Sequence, residues 1–468
     1  MLRELVLGCV SLAVPLAAFA QVGEGEFDTV VERYVAEGLR GNLALQGEAL
    51  EVERAAQALA AARARFLPEV SLQARYSRAE GGREFSIPLG TTLNPVYSTL
   101  NDLLAAQGRP APFPQISDAT VQFLREEEQD TRVVVRQPLY APAIPAAVRA
   151  QRSLLDASNF NRMAVARALR RDITISYVDW LKARSSVEIV SASQVLLREN
   201  LRVNESLFAN GKITEDQVLR AKAELLAVDQ QQRETENLAT RARSFFNFLL
   251  NRDLLADIEV AAPPQPSARQ EGALEQLWSA ALNRRPEVSR VDELRKAAEE
   301  QVRIARQQKW PTLSFGFDAG TQGTDYRFGE GYNFGVASLV FSWRLFDGGG
   351  DAARARQARA AERQLVLRQE EIAQQIRLEV QQAFDRLTTA RDSLATAAAR
   401  ADAARAAFRI ASRKRDEGVI SQVEFIDARS ALTSAELNHN VTRFEVLARH
   451  AELEYATSTG DIPLDPGV

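Results

Sequence analysis

The sequence is poor in the residues on which most buried chemistry relies. Of 468 residues one is cysteine, Cys9, and two are histidine, His439 and His450. One cysteine excludes an internal disulfide and a thiolate metal site. The two histidines share one helical run and read as helix-surface residues. No nucleophile–base set, metal cluster or phosphate loop is visible, and the glycine run FDGGGDAARA suits a junction. Neither catalytic residues nor a metal or cofactor is therefore expected. No segment after residue 20 approaches 18 consecutive apolar residues, so no helix is expected to cross a bilayer. Net charge is only −4, and of the 58 basic residues 6 are lysine. The arginines are scattered along helices, which leaves no nucleic-acid footprint.

What the chain does have is a leader and a repeat. Arg3, the apolar run LVLGCVSLAVPLAAF and Ala18-Phe19-Ala20 before Gln21 read as a signal peptide over 1–20, so the chain is exported. Cys9 lies within that leader, too near the start to suit lipid attachment. Beyond it, Leu39 to Pro68 and Leu282 to Pro311 are equal helical intervals of 29 residues, each stopped by its proline. Two alternating stretches follow each proline, and then a long helical run that ends at Gly211 or Gly418. Such duplication predicts a first repeat over 21–260 and a second over 273–458. The Pro/Gly-rich segment 261–272 reads as the linker, and 459–468 as a tail.

The long runs carry an a/d seam. Ile376, Val380, Ala383, Leu387, Ala390, Leu394, Ala397, Ala401, Ala404, Phe408 and Ala411 step by four and three, and the register recurs in the first repeat from Leu169 to Asn204. Three polar residues, Ser176, Gln194 and Asn204, interrupt it there. At about 1.5 Å per residue, runs of roughly 70 residues span about 105 Å. The shorter helices before Pro68 and after Gly211 span roughly 60 and 54 Å, which predicts a pair stacked end to end beside each long helix.

Strands are expected at about 70–78, 131–139, 312–320 and 334–345, with a long loop over 79–130. Val70, Leu72, Ala74 and Tyr76 alternate with Ser71, Gln73, Arg75 and Ser77, and Leu313, Phe315, Phe317 and Ala319 repeat the pattern. Four strands in lipid leave two edges that hydrocarbon cannot satisfy. Two chains would give eight strands, which side chains fill; three give twelve and a lumen. The expected fold is mainly α with a membrane β portion. A duplicated helix–strand–strand–helix–helix unit forms a homotrimer whose 12-stranded β-barrel, in outer-membrane lipid, continues into a long α-helical coiled-coil barrel.

At ALNRRPEVS, Leu67-Pro68, Trp310-Pro311, RQPLYAPA, WRLFDGGG and the paired glycine turns, the sequence resembles the TolC-like outer-membrane efflux proteins. That resemblance implies a Gram-negative outer-membrane duct with a large periplasmic extension. It would conduct substrates passively from periplasm to exterior in a tripartite efflux or type I secretion system. A periplasmic adaptor and an inner-membrane transporter would be its partners, and no enzyme activity is implied. The resemblance places the periplasmic tip turns at Gly211 and Gly418 and an acidic ring at the entrance at Glu424 and Asp427. The family's polar–aromatic closed-state lock falls on Gln217, Arg415 and Ile420, so that bond network cannot be carried over; the candidate tip lock is instead Arg415 with Asp216 or another tip acid. The alternative is an exported coiled-coil structural protein of the envelope, which explains the heptads but not the paired alternating strands.

Overall fold

The computed structural model describes residues 18–264, 272–460 and 462. Most of the leader, much of the linker and most of the tail expected from the sequence lie outside the described residues. In order come α1 (Ala18–Gly41), α2 (Leu43–Ala64), β1 (Glu69–Arg78), β2 (Glu84–Ile87), α3 (Leu89–Ala106), β3 (Ala119–Gln122), β4 (Glu127–Tyr140), α4 (Ala143–Ala209) and α5 (Glu215–Leu249). The second repeat supplies α6 (Leu274–Arg284), α7 (Pro286–Gln307), β5 (Thr312–Gly323), β6 (Asn333–Ser342), α8 (Gly350–Asp416) and α9 (Gln422–Thr457). These elements divide into a helical unit of Met1–Leu59, Ala150–Glu299 and Arg359–Val468, and a sheet-bearing unit of Ala60–Arg149 and Glu300–Ala358.

In the sheet-bearing unit four antiparallel strands run in the order β1-β4-β5-β6, so the two repeats join at β4–β5. Register fixes the faces. Leu72 pairs with Val133, Phe315 with Leu339 and Leu313 with Phe341, which puts the apolar dyad residues together on one face. That face is bare: Leu72 is 72% and Leu339 68% exposed. The other face carries Gln73 opposite Arg132 and Arg75 opposite Asp130. Asp130 is buried between Arg132 at 3.0 Å and Arg75 at 3.8 Å. Gly320 lets β4 and β5 close up there, since a Cβ would stand 2.2 Å from the Thr131 carbonyl oxygen. Both β1 and β6 have an unpaired edge, the liability that a closed barrel removes.

The insertion read from sequence as a loop carries elements of its own. β2 pairs with β3, and α3 lies between them in the chain. Two asparagines seven residues apart on α3 grip the returning segment with both ends of their amides. Asn94 exchanges hydrogen bonds with the backbone of Ile116 (2.8 and 2.9 Å), and Asn101 with that of Phe113 (2.7 and 3.2 Å). Asp118 accepts from the Thr91 amide and hydroxyl, which closes the clasp.

In the helical unit, α8 buries Ile376, Val380, Ala383, Leu387, Ala390, Ala397 and Ala401, the seam legible in the sequence. One core centres on Tyr177 of α4, ringed by Phe27, Tyr34, Trp180 and Phe246 at centroid distances of 5.7–5.9 Å. A second joins α6, α8 and α9 through Ala281, Val380, Leu387 and Leu453. The first helix of each repeat is broken, which differs from the single helix expected. The breaks fall at Asn42 and Arg285, the same point of the repeat. Asn42 caps α2 by accepting from the Ala44 and Leu45 amides, and its own amide donates to the Leu249 carbonyl at the end of α5. The stack beside α4 therefore joins α2 to α5, while α1 packs alongside the junction. Gly38 is needed there, because a Cβ would meet Ile173 Cδ1 at 2.3 Å.

Candidate functional site

The ends of the long helices are built alike. Gly211 follows α4 at φ +67° and Gly418 follows α8 at φ +70°, conformations that glycine adopts without the Cβ penalty. Lys212 N–H donates to the Leu207 carbonyl and Gly211 N–H to that of Phe208 (2.9 and 2.8 Å). At the second turn Val419 donates to Lys414 and Gly418 to Arg415 (2.7 and 2.9 Å). Both are Schellman closures, which satisfy the last carbonyls and reverse the chain into the next helix.

The restarts differ. Thr214 precedes α5 without a side-chain cap bond, whereas Ser421 and Glu424 form a reciprocal capping box. Glu424 is thus exposed but engaged, its carboxylate held 3.0 Å from the Ser421 amide. Asp427 is exposed one turn on. Two acids in the first turns of α9 also suit the positive end of its dipole.

Asp216 and Arg415 do not meet within the chain. Asp216 lies 3.9 Å from Arg220 on its own helix. Arg415 pairs with Asp416 at 3.2 Å, donates to Asn200 Oδ1 at 3.2 Å, and lies 4.0 Å over the Phe425 ring. Phe425 packs on Phe408 at 5.7 Å, and the Arg429 guanidinium lies 5.4 Å from the Phe408 ring. Arg429 in turn donates to Ser193 of α4. Two guanidinium groups and two rings thus tie α8 and α9 to α4. Reasoning from sequence missed this ladder, whose α4 contacts, Ser193 and Asn200, lie off the a/d seam.

Residues 277–458 match the family described as outer membrane efflux protein. That match falls within the second half of the chain. The fold agrees across almost the whole chain. It superposes on the Campylobacter jejuni CmeC outer membrane channel with a TM-score of 0.76 at 16% identity, covering 97% of this chain and 94% of CmeC. VceC, an outer membrane protein of Vibrio cholerae, gives 0.73 at 16% identity, covering 94% and 99%. Protein CyaE of Bordetella pertussis is 30% identical over 143 residues, a match spanning 30% of each chain. In this chain the glycine turns, the capped acids and the guanidinium–ring ladder all lie within the helical unit.

Proposed function

We propose that this chain is the exit duct of a tripartite efflux or type I secretion assembly. Three copies would close a twelve-stranded barrel in the outer membrane, and their paired long helices would line a passage through the periplasm. The observation that carries this is the sheet: four strands, two unpaired edges and one apolar face. An isolated sheet of that kind is satisfied neither by water nor by lipid, and edge-to-edge closure with copies of itself removes both faults. An envelope scaffold of coiled coils would leave that apolar face unexplained.

The glycine-turn end is the proposed entrance, where an adaptor and an inner-membrane transporter would deliver substrate. Threefold repetition of Glu424 and Asp427 would gather negative potential there and favour cations. The Arg415–Phe425–Phe408–Arg429 ladder is the element that would hold the entrance closed, in place of an Asp216–Arg415 bond.

The test is extraction from envelopes, mass measurement in detergent and conductance in planar bilayers. A detergent-dependent trimer with cation-selective conductance is expected. A chain that remains in the aqueous fraction, or a detergent monomer, overturns the duct. Unchanged ion preference in Glu424→Gln and Asp427→Asn rejects the acidic ring while leaving the duct standing.

A further inference from the structure

Arg429 of α9 is a buried cation without a carboxylate. It is 7% exposed and makes no ion pair among the described residues. Its one hydrogen bond runs from Nε to Ser193 Oγ at 3.3 Å, and burial pulls its pKa below the usual guanidinium value. The acid that acts on it through space, Glu436, is engaged by Arg405 at 3.4 Å. A charge removed from water without a counter-charge is costly enough that native structures seldom tolerate it.

A cavity of about 120 Å³ adjoins this group, lined by Ser193, Gln231, Arg429, Ser430, Thr433 and Glu224 among others. Ser193, 1% exposed, accepts from Arg429 Nε; the Thr433 hydroxyl 3.3 Å away also reaches the Arg429 carbonyl at 3.1 Å, so the Ser193 hydrogen is shared between Thr433 Oγ1 and the cavity. Neither Nη atom of Arg429 hydrogen-bonds to a described residue, and both keep contact with the solvent space of the cavity. The walls therefore offer a guanidinium edge and several hydroxyl donors, with room for an ion and a few waters. Glu224 is half-buried and forms no ion pair with Arg429. Its charge sets an upper limit on the guest, since a multiply charged anion would be repelled.

We infer that this cavity is a binding site for one small monovalent anion, chloride in the cell, held by Arg429 and Ser193 between α4, α5 and α9. The site lies about 16 Å along α9 from the Gly418 turn, at 1.5 Å per residue. An anion there joins α4 and α5 to α9 behind the guanidinium–ring ladder and stiffens that end of the helical unit.

The experiment uses the full chain in detergent, crystallised from bromide, with anomalous diffraction. A bromide peak at hydrogen-bond distance from the Arg429 guanidinium and Ser193 Oγ is expected. It should be lost in Arg429→Met and weakened in Ser193→Ala, where the cation remains. In solution, replacing chloride by gluconate at constant ionic strength should lower the melting temperature of the wild type but not of Arg429→Met. A cavity holding water alone, or a Glu224 carboxylate closed onto Arg429 with no bromide, overturns the site. Conduction does not enter either readout, so failure here leaves the duct untouched.

Discussion

Ser421 and Glu424 cap each other at the start of α9: the serine hydroxyl accepts from the Glu424 amide at 3.3 Å, and the Glu424 carboxylate accepts from the Ser421 amide at 3.0 Å. The matching turn of the first repeat lacks this, because Thr214 makes no side-chain cap bond. Ser421→Ala should therefore cost about 1 kcal/mol locally, and Thr214→Ala close to nothing. Hydrogen exchange checks this, with faster exchange expected at the Glu424 amide in the first variant and no change at the start of α5 in the second. Glutamine also serves at the third position of a capping box, so Glu424→Gln removes charge while keeping the cap. That makes it the right variant for reading ion preference.

Gly320 and Gly335 both sit in paired strands, yet only one is confined. A Cβ on Gly320 would stand 2.2 Å from the Thr131 carbonyl oxygen and 2.6 Å from Arg132 Cα, and backbone cannot swing aside. A Cβ on Gly335 meets nothing within 4 Å. Gly320→Ala should break the β4–β5 pairing that joins the two repeats and abolish the proposed trimeric assembly. Gly335→Ala should assemble as wild type. Heat-resistant migration on denaturing gels separates the two, and equal assembly of both variants would contradict the register.

The sequence carried the fold wherever one residue type has one physical use. Proline stops at Pro68 and Pro311, glycine at the left-handed turns after α4 and α8, and dyads on β1 and β5 could all be read directly. The helix breaks at Asn42 and Arg285 were missed, although Gly41-Asn42 and Pro286 mark them, because helical periodicity resumes directly after each. The ordered insertion was missed for a different reason: Asn94 and Asn101 fold it by gripping backbone 12 and 22 residues away, a contact that no periodicity announces. The ladder at the helix ends depends on how α4, α8 and α9 align in three dimensions. Glu424 and Asp427 are proposed through resemblance alone, since acids in a first helical turn are ordinary.

Tyr177 gives the helical unit an alkaline limit. Its ring is fully buried, and its hydroxyl donates to the Glu259 carbonyl at 2.9 Å while accepting from the Ala261 amide at 3.0 Å. Burial pushes the phenol up to about 12. An unfolded tyrosine titrates at about 10. Below that pH both states keep the proton and the contribution is complete. Above it the unfolded chain releases a proton that the folded one retains, so stability falls as pH rises toward 12, by something on the order of 2 kcal/mol. Tyr177→Phe should be less stable at neutral pH, because the Ala261 amide loses its acceptor. It should also lose the part of the alkaline decline that belongs to this group. Denaturant unfolding at a series of pH values measures both.

Arg415 and Phe425 make the last prediction, and it decides between two ways of closing the proposed entrance. Within one chain Arg415 stacks on Phe425, donates to Asn200 and pairs with Asp416, while Asp216 faces Arg220. A cation–ring contact contributes about 0.5–2 kcal/mol and a hydrogen bond about 1. Arg415→Ala should then raise the open-to-closed ratio in planar bilayers by about tenfold, each 1.4 kcal/mol being a factor of ten. Arg415→Lys, which keeps the charge but loses the flat stacking face, should fall between. Asp216→Asn should leave the ratio unchanged, and its double mutant with Arg415→Ala should match Arg415→Ala alone. A coupling above about 0.5 kcal/mol in that cycle would show Asp216 and Arg415 meeting across neighbouring copies, and the ladder would no longer be the lock.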